Sequence, residues 1–153
     1  MWSGAIMNDI KVYYKKLHEK AKIPIYARPG DVACDLYAVE DCAIPVGERR
    51  LIPFGFAMEI PEGFEAQIRP RSGLAVEYGV TVLNSPGTID AGYRGEIKTP
   101  LINHGEGTFY VNVGDRVAQM KFAPVFTGHF LDVGYNELSV TARGVGGMGH
   151  SGR

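Results

Sequence analysis

Asp90 stands in the segment GTIDAGYRGE (residues 87–96), where a Thr-Ile pair leads into a glycine-bounded turn. A carboxylate at such a turn can hold a water for attack, and Tyr93 offers a flat face for a sugar or a base. Asn84, just upstream, both donates and accepts hydrogen bonds. Backbone groups around Thr88 and Ile89 can pair with the polar edge of a base. A second segment, PRSGLA (70–75), supplies Arg71 as a planar donor, with Ser72 and Gly73 opening a short helix whose free N–H groups suit phosphate. In GDRVAQMKF (114–122), Arg116, Ala118 and Met120 alternate with Val117, Gln119 and Lys121, which turns Gln119 toward a polar site. DVACDLYA (31–38) adds Asp35, a residue that either orients a metal-bound water or caps a turn. Each segment alone is a weak signal: an aspartate beside glycine is more often a turn residue, and Ser72 is equally an ordinary cap.

These residues need a frame. Short β-branched or aromatic runs dominate: residues 10–17, 51–60, 65–70, 80–84, 96–103, 108–113 and 115–125. Turn signals separate them at Pro29-Gly30, Val46-Gly47, Pro61-Glu62-Gly63, His104 to Gly107 and Val113-Gly114-Asp115. Short strands at this spacing predict one all-β domain over 1–153, a sandwich or barrel. Only SGLAVEYG (72–79) reads as helical, with Ser72 as the N-cap and Gly79 as the stop. Gly92 is expected to take a positive φ in its turn.

Two ends differ from the rest. Residues 1–9 read as a variable N-terminal stretch, with Met7 an alternative start. From Arg143 the chain runs RGVGGMGHSGR, a glycine-rich arm with almost nothing to bury, expected to be mobile when free. GVGGMG resembles a dinucleotide fingerprint and GVGGMGHS a phosphate loop with His150 in place of lysine. Both require a preceding strand and a following helix, so both are rejected. As an arm, the segment can still close over phosphates with backbone amides, with Arg143 at its base.

Net charge is −1, so no global field draws the chain to nucleic acid or an anionic membrane. A polyanion must be held by local cations and amides, which favours a small phosphate compound. Cys34 and Cys42 are too few for a disulfide framework and read as reduced thiols of a cytoplasmic protein. No apolar run reaches the length of a membrane span. His18, His104 and His129 lack metal-ligand spacing.

In this order, ACDLYA, PRSGLA, the hairpin with Asn84, GDRVAQ and RGVGGMGHSG resemble the five motifs of the trimeric dUTP pyrophosphatases (dUTPases), from about Ala33 to Gly152. The resemblance implies a distorted jelly-roll subunit, a homotrimer with shared sites, and Mg²⁺-dependent hydrolysis of dUTP to dUMP and pyrophosphate. It implies that Asp90 holds the water attacking the α-phosphorus and that Tyr93 packs on deoxyribose, leaving no room for a 2′-hydroxyl. Asn84 and the backbone at Thr88 and Ile89 would read uracil. Arg71, Ser72, Gly73, Gln119 and Lys98 would hold phosphates, and Arg143 would reach the γ-phosphate. Mg²⁺ would ride on the triphosphate, with Asp35 and Gln119 touching its waters. Met148 and Gly149 would cover the base, Met148 standing where the family usually has phenylalanine and His150-Ser151 where a Ser-Thr pair is common. Gly92 replaces an acidic residue of many members.

Two rivals share the scaffold. In the dCTP deaminases a glutamate on the hairpin's following strand transfers protons; the comparable position here is Pro100, which cannot. A non-catalytic nucleotide sensor would be expected to lack Asp90, Tyr93 or Ser72, and all three are present.

Overall fold

Eleven strands and one helix form among residues 9–134 and 138–147, the part of the chain that this computed structural model describes. They are β1 (Tyr13–Lys16), β2 (Cys34–Tyr37), β3 (Cys42–Ile44), β4 (Arg49–Pro53), β5 (Phe56–Glu59), β6 (Phe64–Arg69), α1 (Ser72–Tyr78), β7 (Val80–Val82), β8 (Gly87–Ile89), β9 (Lys98–Asn103), β10 (Phe109–Val111) and β11 (Arg116–Pro124). All pairings are antiparallel, in sheets ordered β2-β11-β6-β8, β4-β9-β7, β1-β5 and β10-β3. The result is the all-β domain with one short helix that the strand spacing predicts, compatible with the jelly-roll that the resemblance implies. Among the described residues no helix is long and apolar enough to cross a membrane.

The inward faces meet in one core that every sheet feeds: Leu36 from β2, Ile44 from β3, Ile52 from β4, Phe56 from β5, Ile68 from β6 and Leu101 from β9 are all essentially inaccessible. Burying a side chain of this size contributes about 1.5–3 kcal/mol. The expected run at 51–60 divides into β4 and β5 because Gly55 turns the chain with φ +71°. A methyl group there would stand 2.7 Å from His18 Cβ and 3.0 Å from a Val39 methyl. The Gly55 carbonyl accepts from Leu17 N–H at 2.8 Å and His18 N–H at 3.0 Å, which ties β1 to the β4–β5 corner. β2, β3 and β8 escape the hydrophobic pattern because they are three or four residues long. Their pairing partners are distant in sequence.

α1 departs from expectation at its start. The N-cap is Arg71, extended at φ −94° and ψ 130°, with no side-chain capping bond, so Ser72 is the first helical residue and not the cap. Gly79 does end the helix, at φ +67°. No residue of α1 is fully buried; half-buried Leu74 packs on the core, Tyr78 meets Phe109 with ring centroids 5.3 Å apart, and the helix end is held by backbone contacts. Gly79 and Gly105 approach so closely that neither has room for a side chain, and His104 N–H donates to Gly79 O at 2.9 Å. Buried Asn103 holds that loop, its amide donating to Ile44 O and Gly107 O and accepting from Gly105 N–H, each at 2.8 Å.

Gly55→Ala combines left-handed backbone with overlap in the core, and we expect a loss of about 2–4 kcal/mol. Thermal melts at matched protein concentration would show it; an unchanged midpoint would refute the corner's role. Cys34, 2% exposed, gives a second prediction. Burial pushes its thiol from 9.0 up to about 11. The folded state therefore holds this proton more tightly than the unfolded chain, so its contribution is intact below pH 9 and fades as pH rises through 11. Denaturant titrations between pH 8 and 11 should fall more steeply for the parent protein than for Cys34→Ala.

Candidate functional site

The hairpin is built from a register and a turn. β8 pairs with β6 as Gly87↔Ile68, Thr88↔Gln67 and Ile89↔Ala66, which brings Asp90 to the end of the sheet. Tyr93 N–H then donates to Asp90 O at 3.1 Å and closes the turn. Arg94 stiffens it from outside: Nη1 donates to Ala91 O at 2.6 Å and Tyr93 O at 3.1 Å, and Nη2 lies 3.8 Å from Glu59. Gly92 does not take a positive φ, contrary to expectation, and a side chain there would meet open space. The turn needs no left-handed residue because Asp90 O and Arg94 hold it.

Thr88, Ile89, Asp90, Tyr93 and Lys98 line a groove of about 310 Å³, together with Leu51 and Glu96. Glu96 organises its wall. One carboxylate oxygen accepts from Gly55 N–H at 3.2 Å and the other pairs with Lys98 Nζ at 2.8 Å. That hydrogen bond and the glutamate charge raise the Lys98 ammonium above the ordinary lysine value, so it remains a cation at neutral pH. Tyr93 Oη donates to Glu96 O at 3.0 Å. Asn84 flanks the groove without lining it: its amide lies beside Gly87 at the start of β8.

A second, more polar groove of about 610 Å³ gathers Asp35, Arg71, Ser72, Gly73 and Gln119, with Arg28, Asp31 and Arg116 added. Asp35 lies on β2 opposite Gln119 of β11 and caps no turn. Its carboxylate takes Arg71 Nε at 3.2 Å on one oxygen and Arg116 Nη1 at 3.2 Å on the other. Arg71 Nη1 also donates to Arg116 O at 2.9 Å, so two of its five N–H groups are engaged and Nη2 keeps both of its hydrogens for a ligand. Gln119 Nε2 donates to Pro70 O at 2.8 Å, leaving its second N–H to donate and its carbonyl oxygen to accept.

The expected alternation along β11 breaks at a bulge between Arg116 and Ala118. Val117 is the extra residue, and Val117 and Ala118 are both buried. The bulge carries Arg116 to the side of Gln119, where simple alternation sets it apart. Simple alternation therefore hides Arg116 as a groove residue, although it stands in the GDRVAQ segment. Arg28 and Asp31 carried only a turn signal: Pro29-Gly30 folds so that Arg28 N–H meets Asp31 Oδ2 at 2.8 Å. Leu51 reaches the hairpin groove solely through the register Leu51↔Pro100, which no local pattern reveals.

The two grooves lie at opposite ends of β6. Asp90 follows the Ile89↔Ala66 pair, and Arg71 follows the other end of the strand, roughly 20 Å away along it. Arg143 joins neither; it is exposed and its Nε donates to Gly146 O at 2.8 Å. Met148, Gly149 and His150 lie outside the described residues.

Among the described residues no three His, Cys, Asp or Glu side chains cluster as a metal cage. The polar groove offers two carboxylates, one carboxamide and three guanidiniums. That donor set fits a hydrated divalent cation carried in on phosphates, with the protein touching its waters.

Comparison with known proteins gives consistent findings. Residues 19–152 match the family model described as dUTPase. The chain is 49% identical over 144 residues to the deoxyuridine 5′-triphosphate nucleotidohydrolase of Nautilia profundicola, covering 94% of this chain and 100% of that one. It is 50% identical over 147 residues to the enzyme of the same name from Clostridium tetani, covering 96% and 100%. The dUTPase of Staphylococcus bacteriophage 80alpha, solved with dUPNHPP, superposes with a TM-score of 0.86 at 25% identity, over 94% of this chain and 99% of that one. A mutant dUTPase of S. aureus phage phi11, described with a structural Mg(II) ion, shares the fold with a TM-score of 0.75 at 23% identity, over 80% and 96%.

Proposed function

This chain belongs to the dUTPase family, and from that premise we propose that its two grooves are the halves of a dUTP-hydrolysing site completed between subunits. The enzyme hydrolyses dUTP. The observation that carries the finer reading is the shared groove of Asp90, Tyr93 and the Thr88–Ile89 backbone.

In this reading Asp90 holds a water in line with the α-phosphorus, and its carboxylate accepts the proton that leaves as oxygen bonds to phosphorus. A carboxylate is a weak base, so orientation supplies much of the rate. Tyr93 walls the deoxyribose. Asn84 and the backbone at Thr88 and Ile89 read uracil, where a wrong base strands buried polar groups. Lys98, in the hairpin groove, meets the phosphate nearest the sugar. Arg71 Nη2, Ser72, Gly73 and Gln119 take the remaining phosphates. Mg²⁺ carried in on the triphosphate would supply charge neutralisation, and Asp35 and Gln119 would hold it by accepting hydrogen bonds from its waters. Arg143, Met148 and Gly149 close over the nucleotide.

The separation of the grooves along β6 supports a homotrimer in which one subunit lends the cradle and another the hairpin. So does the apolar surface beyond β11: Phe126, Phe130, Leu131 and Val140 are nearly fully exposed and call for a neighbouring copy. The two free thiols accord with a cytoplasmic enzyme that limits uracil in DNA and supplies dUMP for thymidylate synthesis.

Asp90→Asn should cut pyrophosphate release from dUTP with Mg²⁺ by about 10²–10⁴-fold while nucleotide binding persists. Product assays on dUTP, dTTP, dCTP and UTP frame that result. Ammonia from dCTP would point to a deaminase, and binding without release in the parent protein would point to a sensor. Shared sites make a further prediction. Trimers assembled from equal amounts of Asp90→Asn and Ser72→Ala chains should recover about a quarter of the parental activity, since some sites draw both intact halves. A mixture no more active than its components would place the whole site within one chain.

A further inference from the structure

Gly95 has no conformational need to be glycine. Its φ lies outside the left-handed region, so its backbone accepts an alanine. What excludes a side chain is Tyr93: a methyl carbon on Gly95 would stand 2.6 Å from the ring's Cζ and 2.9 Å from Cε2, and would overlap the hydroxyl. The phenol therefore lies directly over the bare Cα, with its Oη anchored on Glu96 O at 3.0 Å. At the other end, Tyr93 N–H is fixed to Asp90 O at 3.1 Å. The ring's depth in the groove is set by what stands beneath it, and nothing thinner than glycine is available.

We propose that Gly95 is a positioning residue for sugar selectivity: by letting the Tyr93 ring sink against the backbone, it fixes the width of the slot for a 2′-deoxyribose against a ribose. The proposal rests on the reading of Tyr93 as the sugar wall. An alanine at 95 lifts the ring and breaks the bond to Glu96 O. Without that anchor the ring swings away from the sugar, and the slot opens to a 2′-hydroxyl.

The experiment measures kcat and KM on dUTP and UTP for the full chain and for Gly95→Ala, Tyr93→Ala and the double variant. For Gly95→Ala we expect kcat/KM on dUTP to fall about tenfold to a hundredfold, mostly through KM, as misplacement of a positioning group does. The preference for dUTP over UTP should fall with it. In the Tyr93→Ala background the same glycine change should have little further effect, since there is no ring left to displace. If Tyr93→Ala lowers the preference but Gly95→Ala leaves it intact, the Gly95 proposal fails and the Tyr93 reading stands. If Tyr93→Ala leaves the preference unchanged, the Tyr93 reading fails and takes the proposal with it. Equal losses from Gly95→Ala with and without the Tyr93 ring would show that the glycine serves the backbone alone. Should Gly95→Ala fail to fold, recovery of folding in the double variant supports the overlap, and a double variant that stays unfolded overturns it.

Discussion

β11 runs between β2 and β6, and its two registers set where the candidate residues stand. Against β2 it pairs Gln119 with Asp35, and against β6 it pairs Gln119 with Arg69, one residue before the Pro70 carbonyl that Gln119 bonds. A single bulge lets Val117 and Ala118 both enter the core while Arg116 and Gln119 share the outer side. Core and cradle are thus built by the same strand. A regular strand would offer Arg116 to the core or Val117 to water, and either is costly.

The same sheet explains why one chain holds two separate grooves. β6 sits between β11 and β8, so the cradle forms where it leaves toward α1 and the hairpin forms near its other end. Strand geometry separates them by a distance that no rotamer change closes. In the proposed reading a neighbouring copy bridges them. The long exposed run of apolar side chains after β11 points the same way, because an isolated subunit offers it nothing to pack against.

Glycines in this molecule act through different physics. Gly55 supplies a left-handed turn in a crowded corner, and Gly79 with Gly105 permits two backbones to touch. Gly95 serves neither purpose; it makes room for an aromatic ring. Gly92, the one whose composition suggests a special turn, has an ordinary backbone and open space around it. Residue type alone does not separate these cases, since each depends on what stands a few ångströms away.

By itself the sequence determined the class of fold, most strands, the end of the helix and five segments able to carry chemistry. Those signals are local: alternation, turn residues and short motifs that each speak for their own few residues. The lining of the hairpin groove by Thr88, Ile89, Asp90, Tyr93 and Lys98 follows the same logic, because four of the five share one short segment. Only the tertiary structure decided that Leu51 and Glu96 stand beside them, that two of the Arg71 N–H groups are taken by Asp35 and Arg116, and that Lys98 belongs to the hairpin groove rather than the polar groove. Each of these depends on strand register or on a bulge. Register is settled by burial across residues far apart in the chain, a constraint that no single segment contains.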